Sequence, residues 1–222
     1  MPARLFLVEQ PWVDWSWLAA HVPYVLAAVQ EHVQLTVIAV AAGLAISLLL
    51  GVLAHTWPAF RLPVLTIFGI FYTIPSIAMF ALLIPITGLS GTSAEIPLIG
   101  YNVLVLVRNV IVGLDSVPAD VLDAADGMGY RRLARLLRVE LPLALPAILA
   151  GLRVATVSTI GIVTIAAVIG IGGLGQLILR GLIQDFYTPL VVATVLCIVL
   201  ALFADLLLAG AQRLVVPWAR SS

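Results

Sequence analysis

Long apolar runs broken by short polar stretches set the plan of this chain. Residues 33–54 carry no charge, and neither do residues 62–87. Further apolar runs cover 96–114, with Arg108 and Asn109 in the last third, 146–169, with Arg153 near the start, and 189–208, with Asp205 near the end. A bilayer crossing takes about 20 residues, so five membrane-spanning helices are predicted. Pro75 falls in mid-run, where its missing N–H and its ring predict a kink. In a membrane such a kink needs a neighbour or a cavity to satisfy the freed carbonyl. Residues 55–61 read as a short loop, 88–95 as a Gly/Ser/Thr loop, 115–145 as a polar block and 170–187 as a Gly-rich linker. Residues 1–31 mix Trp12, Trp15, Trp17 and Tyr24 with four charges, Arg4, Glu9, Asp14 and Glu31, and 11–30 reads as an interfacial segment. Trp and Tyr favour the headgroup level, which predicts a short helix lying on the membrane. Pro11 and the early acids do not fit a signal peptide.

Composition supports this plan. The chain of 222 residues is 63% hydrophobic and 10% charged, against about 25% charged in soluble domains, and its mean hydropathy is +1.18. Eleven Arg balance eleven acids, and there is no Lys. These values exclude a soluble globular enzyme, a disordered chain and a nucleic-acid binder. Without Lys the chain has neither a P-loop nor a Schiff-base amine. The single cysteine, Cys197, excludes an internal disulfide and a thiolate metal cluster, and it reads as a small buried hydrophobe. His21, His32 and His55 lie near the predicted membrane faces. The span interiors are nearly free of acids, so no catalytic residue and no metal-ligand set is predicted. Arginine placement sets an orientation. Arg61, Arg131, Arg132, Arg135, Arg138, Arg213 and Arg220 fall on one side of a five-span chain, and Arg4 and Arg180 on the other. The arginine-rich side is expected to be cytoplasmic, with the N-terminus outside and the C-terminus inside.

Nine of the twenty-two charged residues lie between Asp115 and Glu140. Ser116 is expected to cap a short helix, with Pro118 in its first turn and Asp120 near its positive end. Gly127 and Gly129 are expected to end it. A second helix is expected over Tyr130–Glu140, with Leu133, Leu136, Leu137 and Glu140 at helical spacing and Pro142 stopping it. Composition alone allows a plain solvated loop here. The pattern says more. Asp123-Ala124-Ala125, Gly129, Val139, then Leu141-Pro142 resembles the EAA loop of ABC importer permeases, at every spacing, with Asp in place of Glu at 123. The resemblance implies a coupling helix that docks on an ATPase subunit. It also implies two ATPase subunits, a second permease (a copy of this chain or a similar one) and an extracytoplasmic substrate-binding protein. ATP and Mg would sit on the ATPase, with no cofactor on this chain, and transport would run by alternating access in the inner membrane. On this reading 1–31 is an interfacial segment in contact with lipid, 32–212 the transmembrane permease domain with its coupling loop at 115–145, and 213–222 a cytoplasmic tail.

Other segments look like the osmoprotectant branch of that family, which takes glycine betaine, carnitine or choline. These are Val139 to Arg153, Ala155-Thr156-Val157, Tyr72 to Ser76, Leu83 to Pro85, Arg108-Asn109 and Gly170 to Gly175. The methionine importer permease is the nearest rival, and Gln176 is a departure toward it. Gly170-x-Gly172-x-x-Gly175 formally matches a dinucleotide fingerprint, but it lacks the strand–turn–helix context, and a tight turn is the better account. Arg108 and Arg153 are expected to snorkel, to pair with a loop acid such as Asp115, or to serve transport. Thr156, Thr159 and Thr164 fall within about 140° of one helix face, and Tyr72, Ser76 and Met79 lie on the second span. With Arg108 these residues form the candidate substrate path, although Thr and Ser in spans are also packing glue. Bulk at Ser76 or Thr159 is expected to block uptake while leaving assembly intact.

Overall fold

A computed structural model of the chain describes residues 11–220. Residues 1–10 of the expected N-terminal segment and residues 221–222 of the tail lie outside the described residues. Helix α1 (Trp15–Ala20) is shorter than the 11–30 pattern predicts. The Asp14 carboxylate caps it, accepting from the N–H groups of Ser16 at 2.9 Å and Trp17 at 3.1 Å. The chain turns at His21 and enters α2 (Val22–Thr56), with Pro23 in the first turn, where no N–H is needed. Trp12 and Trp15 remain exposed, as headgroup-level residues should.

The second apolar run breaks where a kink was expected. Helices α3 (Pro58–Thr73) and α4 (Ser76–Thr87) meet at 97° across Ile74–Pro75. Proline keeps the preceding residue out of the helical region, and Ile74 is extended. Its carbonyl, left over at the break, accepts a 2.6 Å hydrogen bond from the Tyr101 hydroxyl. The Phe71 carbonyl that the missing Pro75 N–H frees accepts from the Ile74 N–H at 3.2 Å, so both carbonyls have the partner a membrane requires.

Helix α5 (Gly91–Asp115) begins inside the expected 88–95 loop. After α6 (Ala119–Gly127) and α7 (Arg132–Arg135), a π-helical turn over Leu136–Glu140 runs directly into α8 (Leu141–Ile165). Pro142 therefore does not stop a helix. It sits in the first turn of α8, and the widened turn before it bonds the Leu141 N–H to the Leu136 carbonyl, removing the need for a donor at 142. Ser116 does not cap α6. It closes α5, with its hydroxyl on the Gly113 carbonyl at 2.7 Å, and Pro118 holds the N-cap position of α6. The expected Gly-rich linker contains a helix, α9 (Leu174–Ile183), which buries Leu174, Leu177 and Gly181. The turn before it follows the second reading of the glycine motif: a Cβ on Gly173 would lie 2.5 Å from the Ala28 carbonyl. Helix α10 (Tyr187–Val215) completes the bundle.

Among the described residues four helices are long and apolar enough to cross a membrane, or five if the bent α3–α4 pair counts as one. Of the most apolar stretch of α5, 67% is buried, against 6% for α10. Helix α5 is thus the core of the bundle, and α10 offers Ile198, Leu202, Phe203 and Leu206 to lipid. Helix α2 runs parallel to α5, with Gly43 against Asn102 and Gly51 against Val110. Helix α8 runs antiparallel to α5, with Gly151 against Asn109. A Cβ on Gly151 would sit 2.5 Å from that of Asn109, so this close approach requires glycine. The loop end of the bundle holds residues 55–61 and 115–140. The far end holds α1, residues 88–95 and the start of α9.

Candidate functional site

The polar block folds into a two-helix projection at the loop end. Helix α6 stops because Gly129 adopts φ +81°, a conformation that suits glycine. The Tyr130 N–H bonds the Ala125 carbonyl at 3.2 Å, and the Gly129 N–H bonds the Asp126 carbonyl at 2.9 Å, the paired bonds of a Schellman cap. Asp123, Ala124, Gly127, Met128 and Gly129 are exposed, as is Leu133 on α7. Ala125 is 1% exposed and faces inward, so of the two alanines only Ala124 is free for an outside surface. Val139, Leu141 and Pro142 lie half-buried along the π turn and the start of α8, where they anchor the projection to the bundle.

Charges tie this projection to the helix ends. Glu140 is 3% exposed. Its Oε1 accepts from Arg135 Nε at 2.9 Å, and its Oε2 lies 3.2 Å from His55 Nε2 on α2. His55 Nδ1 is 2.7 Å from Asp115 at the end of α5, and Asp115 also accepts from Arg61 at 2.7 Å on α3. Arg135 reaches on to Asp126 of α6, and Arg132 donates to the Thr56 carbonyl at 3.0 Å. Both ring nitrogens of His55 face carboxylates. One connected set of charges thus joins α2, α3, α5, α6 and the π turn. A cavity of about 500 Å3 lies beside it, between the end of α2 and Arg132, Leu133 and Leu136. Sequence reasoning passed over His55, Arg61, Asp126 and Arg135 as site residues. The available signal was Glu140, a charge set at helical spacing among Leu133, Leu136 and Leu137.

The candidate path residues fall into separate settings. Tyr72 and Ser76 flank the α3–α4 break, and Met79 is buried one turn on. The Tyr72 ring packs edge-on against Tyr101. Arg108 is exposed on α5 and makes no ion pair among the described residues. Thr156 bonds the Leu152 carbonyl and lines a largely apolar cavity of about 360 Å3 with Leu208 of α10. Thr164 bonds the Gly161 carbonyl. Thr159 is 2% exposed, with its hydroxyl 2.9 Å from Asn102 Oδ1 and 2.7 Å from the Ala155 carbonyl. A tryptophan there would break the α5–α8 contact, so bulk at Thr159 cannot leave assembly intact, and the blocking test falls on Ser76. Arg153 does not pair with Asp115. It makes two 2.8 Å bonds to Asp205 of α10, a forked pair suited to a guanidinium and a carboxylate. Cys197 is half-buried beside Leu174 and Ala193, and His32 is wholly buried, bonded to the Ile160 carbonyl at 3.0 Å.

Residues 43–220 match the family described as "Binding-protein-dependent transport system inner membrane component". The chain belongs to this family of ABC importer permeases. The permease is 38% identical over 201 residues to the osmoprotectant import permease protein OsmW of Salmonella typhimurium, covering 87% of this chain and 93% of that one. It is 35% identical over 189 residues to the choline transport system permease protein OpuBB of Bacillus subtilis, covering 84% and 86%. Among solved structures, an inward-facing MetNI methionine ABC transporter chain superposes with a TM-score of 0.75 at 24% identity, covering 87% of this chain and 98% of that one. That likeness concerns the fold. The permease is a multi-pass membrane protein and a transport component.

Proposed function

We propose that this permease imports osmoprotectants, methylated ammonium compounds such as glycine betaine, choline or carnitine. The observation that carries the reading is the 38% identity to an osmoprotectant permease along nearly the whole of both chains. Methionine is the rival substrate, favoured by the likeness of fold alone.

In this reading the loop end faces the cytoplasm, the N-terminus lies outside and the C-terminus inside, as the arginine distribution favours. The exposed Asp123, Ala124, Met128 and Gly129 surface docks on a partner ATPase. Two ATPase subunits carry ATP and Mg, and this chain pairs with a second permease, its own copy or a similar chain. An extracytoplasmic binding protein delivers substrate. Closure of the ATPase pair moves the projection, and the linked charges at His55, Asp115, Arg135 and Glu140 pass that movement to α2, α3 and α5 as rigid bodies. The break between α3 and α4 supplies a hinge beside Tyr72, Ser76 and Met79. Those residues, with Arg108 and Thr164, border the path, while Thr159 holds the α5–α8 contact and Thr156 faces α10.

Reconstitution with the partner ATPase and binding protein tests this. ATP-dependent uptake of glycine betaine or choline is expected, with methionine left outside. Uptake of methionine alone, or of betaine by the purified chain without an ATPase, would sink the reading. Gly129→Asp puts a side chain where φ is +81° and a charge on the docking surface. It is expected to abolish substrate-stimulated ATP hydrolysis while the chain still inserts, and full stimulation would remove the coupling role.

A further inference from the structure

The far end of the bundle holds a cavity of about 380 Å3, lined by Glu31 and Gln34 with Leu35, Ile38, Glu95 and Ile171. Two carboxylates and no cationic side chain line it. Glu31 is held in the wall by the Gly172 N–H, which donates to its Oε1 at 3.1 Å. Glu95 differs. Both of its carboxylate oxygens are sealed from solvent, and neither accepts a hydrogen bond from the described residues. A carboxylate in that condition lacks both water and a protein partner, and its charge is costly until something compensates it.

We propose that this cavity binds a methylated ammonium head group. The chemistry of the wall selects that ion over other cations. A metal ion needs several oxygens in direct contact, and the Glu95 oxygens are sealed behind the wall. A primary ammonium or a guanidinium directs several N–H groups at acceptors, and of the two carboxylates only Glu31 presents one, with its Oε1 already taken by the Gly172 N–H. A quaternary ammonium has no N–H. It carries its charge under a coat of methyl groups, so a carboxylate behind an apolar surface attracts it by charge alone. Its methyl groups match Leu35, Ile38 and Ile171. The amide of Gln34 supplies an N–H donor for the carboxylate that a zwitterionic ligand carries on its other end. The site lies at the end opposite the coupling projection, where a substrate released by a binding protein would first meet the bundle. This inference deepens the osmoprotectant reading and rests on it for the place of the site in transport.

The test uses the full-length permease assembled with its ATPase, with tetramethylammonium chloride as the probe and sodium chloride at equal ionic strength as the control. Tetramethylammonium is expected to raise the thermal midpoint of the wild-type complex. Glu95→Gln, nearly the same shape without the charge, is expected to weaken the half-saturating concentration by roughly tenfold or more. Glu31→Gln is expected to weaken it as well. No midpoint rise in the wild type, or the same rise in Glu95→Gln, overturns the site, because a protonated structural carboxyl would be mimicked by the amide. Wild-type affinity in Glu31→Gln overturns it too, even where Glu95→Gln fails to assemble. If reconstituted wild-type complex moves methionine and not choline while tetramethylammonium binding still depends on Glu95, the osmoprotectant reading fails and the site stands.

Discussion

The two ends of the bundle treat charge in opposite ways. At the loop end Glu140, as deeply buried as a core side chain, meets both an arginine and a histidine. At the far end Glu95, also shut off from solvent at its oxygens, has no hydrogen-bond partner among the described residues. Both are single acids placed next to apolar neighbours. A buried charge with full partners holds elements in one arrangement. A buried charge without them leaves the protein with a cost that only a ligand or a proton removes. The first arrangement suits transmission of movement, and the second suits reception of an ion.

Removing one partner at the loop end should have the largest effect. Arg135→Ala leaves Glu140 buried with His55 alone, and also frees Asp126. Breaking a buried pair costs about 3 kcal/mol or more, and partial exposure of the arginine reduces this to roughly 2–3 kcal/mol. The thermal midpoint in detergent should fall accordingly, and ATP hydrolysis should lose its response to substrate. An unchanged midpoint would show that the charge network carries no structural role.

The far end should respond in the opposite direction. Glu95→Leu removes a carboxylate that has no partner, so stability is expected to hold or to rise by up to about 1 kcal/mol, even as cation binding is lost. A fall of more than about 1 kcal/mol would mean that Glu95 has a partner in the folded protein and that the contrast between the ends is false.

The smallest effect concerns Asp14, a partly exposed charge that is satisfied. Its carboxyl is held below the usual carboxylate range, first by the Ser16 hydroxyl and then by the Trp17 N–H, with burial opposing weakly. Its folded pKa is depressed. The cap therefore contributes fully above the unfolded value of about 3.9, and its contribution is lost as pH falls through the lower folded value. Amide exchange at Ser16 and Trp17, corrected for its intrinsic pH dependence, should lose protection in that window. Protection that persists through it would show that the carboxylate does not cap α1.

Much of this was legible in one dimension. Apolar runs of bilayer length determine spanning helices, because the hydrocarbon core excludes any backbone that does not bond to itself. The spacing from Asp123 to Pro142 marked the two-helix projection, and Gly129 marked its turn, because only a residue without a side chain takes that φ at no cost. The alternation of leucines around Glu140 carried a weak sign that one acid points inward.

The rest depended on distances that no local pattern encodes. Proline at 75 announced a defect. Whether it kinks a helix or turns the chain through 97° rested on whether Tyr101, twenty-seven residues away, could satisfy the Ile74 carbonyl left over at the break. Proline at 142 looked like a stop, and the π turn beside it made it a start. Arg153 chose Asp205 over Asp115 because α8 and α10 lie side by side. The sequence by itself determined which segments enter the membrane and where the projection lies, since both follow from hydrophobic length and backbone sterics. Only the tertiary structure decided which buried acid finds partners, as Glu140 does, and which, as at Glu95, finds none among the described residues, because pairing is a property of neighbours in space.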